Sequence, residues 1–281
     1  MSEPKRKVAL ITGGGRGIGR ATALKLAEQG YDVAITYRTS SAGAAEVMQL
    51  LTAAGSKARM YQADTAKLDE VLTAFEQFRQ DYGRIDLLVN NAGSTVSGHF
   101  LEMSTDSFDY CMNTDLRSPY FLAQGAARLM VENGNGGVII NITSNQAEAV
   151  FPWASVYGTI KAGLNKLTKH MALELAPHKI RVVAVAPGYC DVWGATKANP
   201  PGTNPRQDAM WDCIPAGRYG KPEEVAALVA FLASEDAGYI TGTVVLTDGG
   251  AALPVATNLL EIPVEERNRK IELYRRLNHE N

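Results

Sequence analysis

The chain has few cysteines, no long apolar run and no block of basic residues, and each absence excludes a class of protein. Only three cysteines occur in 281 residues, which is typical of a reducing compartment and predicts no disulfide framework. The formal net charge is −2, so no nucleic-acid partner is expected. No apolar run approaches the roughly 20 residues that a membrane helix needs. We therefore expect a cytoplasmic protein with no membrane partner.

Histidine is also scarce, and its four occurrences show no metal-ligand spacing. They are scattered along the chain as His99, His170, His178 and His279. Because a catalytic metal needs several converging ligands, we predict no metal. Paired acidic residues such as Glu223 and Glu224 suit the first turn of a helix better than a glycosidase site, since carboxylates interact favourably with the helix dipole there.

What the chain does contain is an alternation of short aliphatic strands and amphipathic helical segments. The candidate strands are Val8–Thr12, Val33–Tyr37, Ala58–Gln62, Leu87–Asn90, Val138–Ile142, Val182–Ala186 and Val244–Thr247. Continuously apolar strands separated by helices predict a parallel sheet that is covered on both faces. The expected fold class is α/β, a doubly wound, Rossmann-like, seven-stranded parallel sheet with helices on both faces. We expect residues 1–281 to form a single domain.

Two segments break this alternation. Residues 189–215 are rich in proline and contain the aromatic side chains of Tyr189, Trp193 and Trp211, and a long loop of this kind is typical of a substrate lid. Residues 251–281 form a C-terminal extension with a charged helical pattern, Val264–Leu277. The simplest interpretation of that pattern is a solvated or subunit-contact helix.

The first strand runs directly into a glycine-rich turn, residues 12–19, and then into a helical segment. Glycine lets the backbone turn tightly and approach a pyrophosphate, whose charge is stabilised by the helix amides and dipole. An ordinary strand-to-helix turn contains such residues too, but the position after the first strand favours a dinucleotide site. The residues of this turn that we expect to bind the cofactor are Gly13, Arg16, Gly17, Ile18 and Gly19.

The second strand ends at Tyr37, without the acidic residue that NAD-preferring enzymes commonly place there. Arg38 follows directly, and Arg16 lies in the glycine-rich turn. Guanidinium groups bind a 2′-phosphate through charge-assisted hydrogen bonds. We therefore predict that Tyr37 and Arg38 bind the cofactor and that NADP(H) is preferred, with NAD(H) as the alternative. Two solvated surface arginines are the simpler interpretation of the same residues.

Ser144 follows the fifth strand, and Tyr157 and Lys161 share one face of the next helical segment. A free phenol has a pKa of about 10, which is too high for an efficient base at neutral pH, but a neighbouring ammonium group favours the phenolate. We therefore expect Tyr157 to be more acidic than a free phenol and to exchange a proton with the substrate oxygen, which Ser144 holds. Joined to the glycine-rich turn, the trio predicts hydride transfer between a nicotinamide and an alcohol or ketone.

These residues resemble the short-chain dehydrogenase/reductase family, from about Lys7 to Gly250. Further motifs carry the resemblance: Asn90-Asn91-Ala92-Gly93, Pro187-Gly188 and Asp248-Gly249-Gly250. The resemblance implies an NAD(P)(H)-dependent oxidoreductase that interconverts a small-molecule secondary alcohol and a ketone, with Ser144, Tyr157 and Lys161 as catalytic residues. It also implies a homotetramer, because members of the family commonly pair helices of this region across a two-fold axis.

The resemblance also implies cofactor contacts along the whole crevice. Asp64 would approach the adenine, and the adjacent Thr65 is expected to bind the cofactor too. Asn91, Ala92 and Gly93 would support the central sheet and line the adenosine-ribose side. At the nicotinamide end, the expected contacts are Tyr157, Lys161, Pro187, Gly188 and Cys190.

Two positions depart from the family pattern. The family usually has an asparagine that completes a proton relay, whereas Asp115 stands in that slot here. Because an added charge near Lys161 alters the electrostatics of the relay, we keep Asp115 as a catalytic candidate, with Asn113 as the less favoured substitute. The second departure is Val192, where members often carry a threonine. Anchoring of the nicotinamide is therefore expected to rely on backbone groups such as those of Cys190.

Three functions remain open at this point. The first is an enzyme that reduces a carbonyl or oxidises a secondary alcohol. For this enzyme a sugar, polyol or similar polar substrate is favoured by Asn145, Gln146 and Glu148, which follow Ser144. A 3-oxoacyl-thioester reductase is the second enzymatic alternative, and it would require a basic docking surface and a slot for a long chain. A non-catalytic dinucleotide-sensing or scaffold protein is the alternative from another class, although such a protein has little need for the catalytic trio.

Overall fold

The computed structural model describes residues 6–192 and 214–253, together with Arg269. Its strands are β1 (Val8–Ile11), β2 (Asp32–Tyr37), β3 (Ala58–Gln62), β4 (Leu87–Asn90), β5 (Gly137–Ile142), β6 (Ile180–Pro187) and β7 (Val244–Thr247). Its helices are α1 (Gly17–Glu28), α2 (Ser41–Ala53), α3 (Leu68–Tyr82), α4 (Thr105–Met112), α5 (Ser118–Asn133), α6 (Ser155–Leu175) and α7 (Pro222–Ala233). A π-helical turn, Asn113–Arg117, joins α4 to α5.

All seven strands belong to one parallel sheet in the order β3-β2-β1-β4-β5-β6-β7. The observed strands coincide with the predicted ones, apart from shifts of one or two residues at some ends. This confirms the doubly wound, Rossmann-like α/β fold. The long β6 is buried along nearly its whole length, as expected for an interior strand of a parallel sheet that is covered on both faces.

Side chains alternate between the two faces of each strand, and so they supply two separate cores. In β1, Ala9 and Ile11 pack with the buried faces of α1, α2 and α7. Val8 and Leu10 point the other way and pack with α3 and α5 and with the end of α6. The sheet is therefore the middle of three layers, and its strand ends are the places left for polar chemistry.

The neighbouring strands β1 and β4 mark the point where the sheet reverses its direction of growth. From β1 the chain proceeds to β2 and β3 on one side, and from β4 it proceeds to β5, β6 and β7 on the other. Crossovers that leave in opposite directions open a crevice beyond the carboxyl ends of the two strands, and ligands of doubly wound proteins bind there. The glycine-rich turn follows β1 at this crevice.

Several sequence predictions fall outside the described residues. Only the ends of the predicted lid are described, at 189–192 and 214–215, and only 251–253 and Arg269 of the C-terminal extension. The predictions for Trp193, Trp211, His279 and the helix Val264–Leu277 lie elsewhere in the chain. Within the described ranges, no helix is long and apolar enough to span a lipid bilayer.

Candidate active site

The glycine-rich turn requires glycine for two different reasons. Gly13 has a φ of +67°, a left-handed conformation that glycine adopts without steric cost. At position 19 the constraint is space, because a Cβ atom there would lie 2.4 Å from the Gly13 carbonyl oxygen. The first turn of α1 therefore packs directly against the preceding backbone and lies at the edge of the crevice.

The start of α1 fits the pyrophosphate of a dinucleotide. The first amides of a helix have no partner within the helix, and the cap residue Arg16 makes no side-chain hydrogen bond to them. The first turn contains no acidic residue that would repel an anion. The amides of Gly17, Ile18 and Gly19 and the helix dipole are therefore suited to bind phosphate oxygens.

Beyond the ends of β2 and β3, Arg38 and Asp64 line one open cleft of about 560 Å³, together with Gln62. Arg38 is exposed, and its Nη1 donates a hydrogen bond to the phenol oxygen of Tyr110 on α4. Gln62 Nε2 donates to the Arg38 carbonyl oxygen at 3.1 Å. The sequence did not identify Tyr110 as a site residue, because Tyr110 and Arg38 lie far apart in the chain and come together only in the fold. Tyr37 ends β2 beside them.

Asp64 and Thr65 form the turn that leads from β3 to α3. Asp64 Oδ1 accepts a hydrogen bond from the Ala66 amide at 3.0 Å, and the Asp64 amide donates to Glu70 Oε2 at 2.9 Å. The Thr65 carbonyl oxygen accepts from Ser118 Oγ at 2.7 Å. Both residues thus have structural partners, and their contact with the cofactor stays a prediction.

Asn91 and Ala92 join the end of β4 to the glycine-rich turn. Asn91 Nδ2 donates to the Thr12 carbonyl oxygen at 2.8 Å and to that of Gly13 at 3.3 Å. The amides of Asn91 and Ala92 both donate to Thr12 Oγ1, each at 2.9 Å. These bonds fix the two walls of the crevice relative to each other. The proposed adenosine-ribose contact of this segment stays a prediction.

The catalytic candidates meet beyond the carboxyl end of β5. Ser144 is buried, and its Oγ accepts a hydrogen bond from the Gln146 amide at 3.2 Å. Tyr157 and Lys161 lie one turn apart on α6, with Lys161 Nζ 5.6 Å from the centre of the Tyr157 ring. Lys161 Nζ also donates to the Ile142 carbonyl oxygen at 3.1 Å. The predicted trio is thus assembled on one side of the crevice.

The ionisation of Tyr157 differs from the expectation. Burial raises the pKa of the phenol above its ordinary value, whereas Lys161 and a hydrogen bond with Ser144 lower it and Asp115 raises it further. Lys161 acts in the expected direction, but burial and the carboxylate outweigh it. In this structure the expectation of a phenol more acidic than usual is therefore wrong, because removal from water disfavours the phenolate.

Asp115, the departure from the family pattern, lies at the centre of this group. It is fully buried on the π-helical turn, and its Oδ1 lies 2.9 Å from Lys161 Nζ. Burial lowers the pKa of Lys161, but Asp115 and Tyr157 raise it by more, so the net pKa lies above its ordinary value. Asn113, the alternative in the sequence, lies near the guanidinium of Arg117, 3.5 Å from its Nη1.

The segment after β6 contains the residues that were predicted to contact the nicotinamide. Pro187 ends the strand, and the Gly188 amide donates to the Thr247 carbonyl oxygen at 3.2 Å. Cys190 forms an isolated parallel bridge with Gly220. Burial raises the pKa of the Cys190 thiol to about 12, so the thiol stays neutral. The segment is thus held by backbone bonds, and its contact with a nicotinamide stays a prediction.

Val192, the second departure, lies against the start of α1. A Cβ atom at Gly17 would lie only 3.1 Å from the Val192 Cβ. An apolar contact therefore lies where members of the family often carry a threonine hydroxyl.

Among the described residues, no three histidine, cysteine or acidic side chains converge as a metal site would require.

The fold and the glycine-rich turn at its switch point are those of a dinucleotide-dependent oxidoreductase. The chain belongs to the short-chain dehydrogenase/reductase family. A family model described as enoyl-(acyl carrier protein) reductase matches residues 13–252. The protein is therefore an NAD(P)(H)-dependent oxidoreductase that interconverts a secondary alcohol and a ketone.

Individual relatives cover nearly the whole chain. An uncharacterized oxidoreductase, YohF, of Escherichia coli K12 is 41% identical over 88% of this chain and 96% of its own length. The 3-oxoacyl-[acyl-carrier-protein] reductase FabG of Staphylococcus epidermidis is 39% identical over 87% of this chain and 98% of its own. The crystal structure of acetoin dehydrogenase from Enterobacter cloacae superposes with a TM-score of 0.84 at 37% identity, covering 91% of this chain and 99% of that chain.

Proposed function

We propose that the protein reduces a small ketone that carries a second oxygen beside the reacting carbonyl, with NADPH as the cofactor and Tyr157 as the proton donor. The observation that carries this proposal is the group at the carboxyl edge of the sheet in which the partly buried Tyr157 lies with the buried Ser144 and Lys161. The bound nicotinamide supplies or accepts the hydride. The side chains of the protein bind the oxygen and move the proton.

In this mechanism Ser144 Oγ hydrogen-bonds the carbonyl oxygen, and the Tyr157 hydroxyl donates its proton to that oxygen as negative charge develops there. Lys161 keeps a positive charge near the phenol throughout. Because burial raises the pKa of Tyr157, the phenol stays protonated at neutral pH, which is the form that reduction needs. Alcohol oxidation needs the phenolate, and its rate therefore rises as the pH rises.

Two amide groups beside Ser144 support a substrate with a second oxygen. Asn145 Nδ2 and Gln146 Oε1 are buried, and neither has a hydrogen-bond partner within the described part of the chain. A buried polar atom without a partner is costly, and a hydroxyl or carbonyl of the substrate would satisfy it. The likeness to an acetoin dehydrogenase supports the same class, because acetoin is a vicinal hydroxy ketone. Sugars and polyols share these vicinal oxygens.

A panel of carbonyl compounds tests this proposal through the absorbance of NADPH. Acetoin and 2,3-butanedione are expected to be reduced at least about fivefold faster than 2-butanone, which lacks the second oxygen, because one satisfied hydrogen bond is worth about 1 kcal/mol or more. Aldoses and an acetoacetyl thioester complete the panel.

Each contrary outcome of that panel identifies an alternative. A thioester as the best substrate would favour the 3-oxoacyl-thioester reductase, which the likeness to FabG supports. Binding of NADPH without turnover of any compound would favour the dinucleotide-sensing or scaffold protein. Equal rates for acetoin and 2-butanone would contradict a role for the second oxygen.

The preference for NADP(H) is a separate proposal, with NAD(H) as its alternative. Its support is the exposed guanidinium of Arg38 at the cleft beyond β2, with Arg16 in the neighbouring turn and no carboxylate at the end of the strand. Guanidinium groups favour the doubly charged 2′-phosphate of NADP(H) over the ribose hydroxyl of NAD(H).

Replacing Arg38 with alanine is expected to weaken NADPH binding about 10- to 100-fold, because a hydrogen bond to a charged group is worth about 1.5–3 kcal/mol. NADH binding should change little. Fluorescence titration measures both dissociation constants. Arg59→Ala, on the adjacent β3 and half exposed, is the matched control and should leave both constants unchanged. An unchanged ratio of NADPH to NADH affinity in Arg38→Ala would refute the role of this arginine.

We further propose a homotetramer in the cytoplasm. Apolar side chains are exposed on the helices of the family's usual interface, including Tyr120 and Phe121 on α5 and Leu173 on α6, which is 76% exposed. The free thiols of Cys111 and Cys190 agree with a reducing compartment. Sedimentation at micromolar concentration should give the tetramer mass, and a monomer would contradict the assembly. Recovery of the protein outside the cytoplasm on cell fractionation would contradict the location.

A further inference from the structure

The ion pair between Asp115 and Lys161 is direct and almost wholly removed from water. The carboxylate and ammonium groups are 2.9 Å apart, with side-chain exposures of 0% and 4%. At that distance no water molecule lies between the two groups. Because charges interact more strongly away from solvent, this pair acts on every ionisable group near it.

The surrounding backbone is built to hold the carboxylate in place. The Ser94 amide donates to Asp115 Oδ2 at 3.1 Å and to Oδ1 at 3.3 Å. Cys111 Sγ lies 3.7 Å from Oδ2. Gly93 provides the space, because a Cβ atom there would lie 2.5 Å from Asp115 Oδ1 and 3.3 Å from Lys161 Nζ. The carboxylate is thus held from several sides, on a π-helical turn of the kind often found at functional sites.

Lys161 connects this carboxylate to the phenol of Tyr157. Its Nζ contacts Asp115, donates to the Ile142 carbonyl oxygen at 3.1 Å and lies 5.6 Å from the centre of the Tyr157 ring. The positive charge of Lys161 near Tyr157 is therefore neutralised by the Asp115 carboxylate. An asparagine in place of Asp115, as in the family pattern, would leave that charge uncompensated.

We propose that Asp115 is a positioning residue that holds Lys161 in a neutral ion pair and so sets the pH at which Tyr157 exchanges its proton. This inference rests on the proposed role of Tyr157 and deepens it. The carboxylate keeps the phenol protonated over a wider range of pH. The site is thereby biased toward reduction, since reduction needs the protonated phenol.

The groups around Tyr157 act in opposite directions, since Lys161 and Ser144 lower the pKa of the phenol whereas Asp115 raises it. They come from four elements: Lys161 from α6, Asp115 from the π-helical turn, Cys111 from α4 and Ser144 from the segment after β5. Burial is the largest cause of the raised pKa of Tyr157, and Asp115 adds to it. Burial and Asp115 also raise the pKa of the Cys111 thiol to about 12, so the thiol adds no charge. Asp115 is thus the one negative charge among these groups.

Asp115→Asn tests the proposal, because it removes the charge and keeps the size of the side chain. The pH at which kcat/KM for reduction falls by half is expected to move down by about one unit, since removing a nearby negative charge makes the phenol more acidic. Asp109→Asn, an exposed carboxylate on α4, is the matched control and should leave the profile in place. Asp115→Glu restores the charge and should return the midpoint toward the parent value.

A second measurement does not depend on turnover. The ring-carbon NMR signal of Tyr157, assigned by its loss in Tyr157→Phe, reports the ionisation of the phenol in cofactor-free protein. Its midpoint should fall by a similar amount in Asp115→Asn. If the parent enzyme shows no activity, the proposed function fails, while this titration still tests the inference.

Two results would overturn the inference. The first is a Tyr157 titration and a pH profile that are unchanged in Asp115→Asn. The second is an asparagine variant that does not fold, because this would assign the carboxylate to stability and not to proton exchange.

Discussion

The crevice of this protein depends on the reversal of strand order between β1 and β4. There the neighbouring parallel strands send their crossovers in opposite directions, which opens a crevice beyond their carboxyl ends. Close packing adds a second constraint, because α1 approaches the glycine-rich turn so tightly that a Cβ atom at Gly19 would lie 2.4 Å from the Gly13 carbonyl oxygen. Asn91 then ties β4 to the same turn. The helix amides and the end of β4 are thereby brought to a single crevice.

Within that crevice the chemistry depends on the charged groups that are removed from water and on the charges that neutralise them. Tyr157 lies partly buried beside Lys161, and Lys161 is paired with Asp115. Burial alone would disfavour both the phenolate and the ammonium. The Asp115 carboxylate stabilises the charged form of Lys161 and further disfavours the phenolate of Tyr157, so the phenol keeps its proton. This arrangement connects the π-helical turn, on which Asp115 lies, to the protonation state that we propose for Tyr157.

The sequence predicted the fold and much of the site because those features have local signals. Aliphatic runs define the strands, and the glycines of the first turn and the Tyr157–Lys161 spacing are visible without any tertiary information. The contacts between Asp115 and Lys161 and between Arg38 and Tyr110 join residues far apart in the chain. The net pKa of Tyr157 could not be predicted either, because it depends on the depth of burial.

The central claim is that the Tyr157 hydroxyl exchanges the proton of the reaction, and one substitution tests it most directly. Tyr157→Phe keeps the ring and removes the hydroxyl, so kcat/KM should fall by about 10²–10⁴-fold, as expected for loss of a general acid, while the dissociation constant of NADPH changes little. The control is Tyr82→Phe. The Tyr82 hydroxyl donates a hydrogen bond to the Lys57 carbonyl oxygen, outside the group of Ser144, Tyr157 and Lys161, so this variant should retain the parent rate. A Tyr157→Phe enzyme that reduces its best substrate at the parent rate would contradict the account.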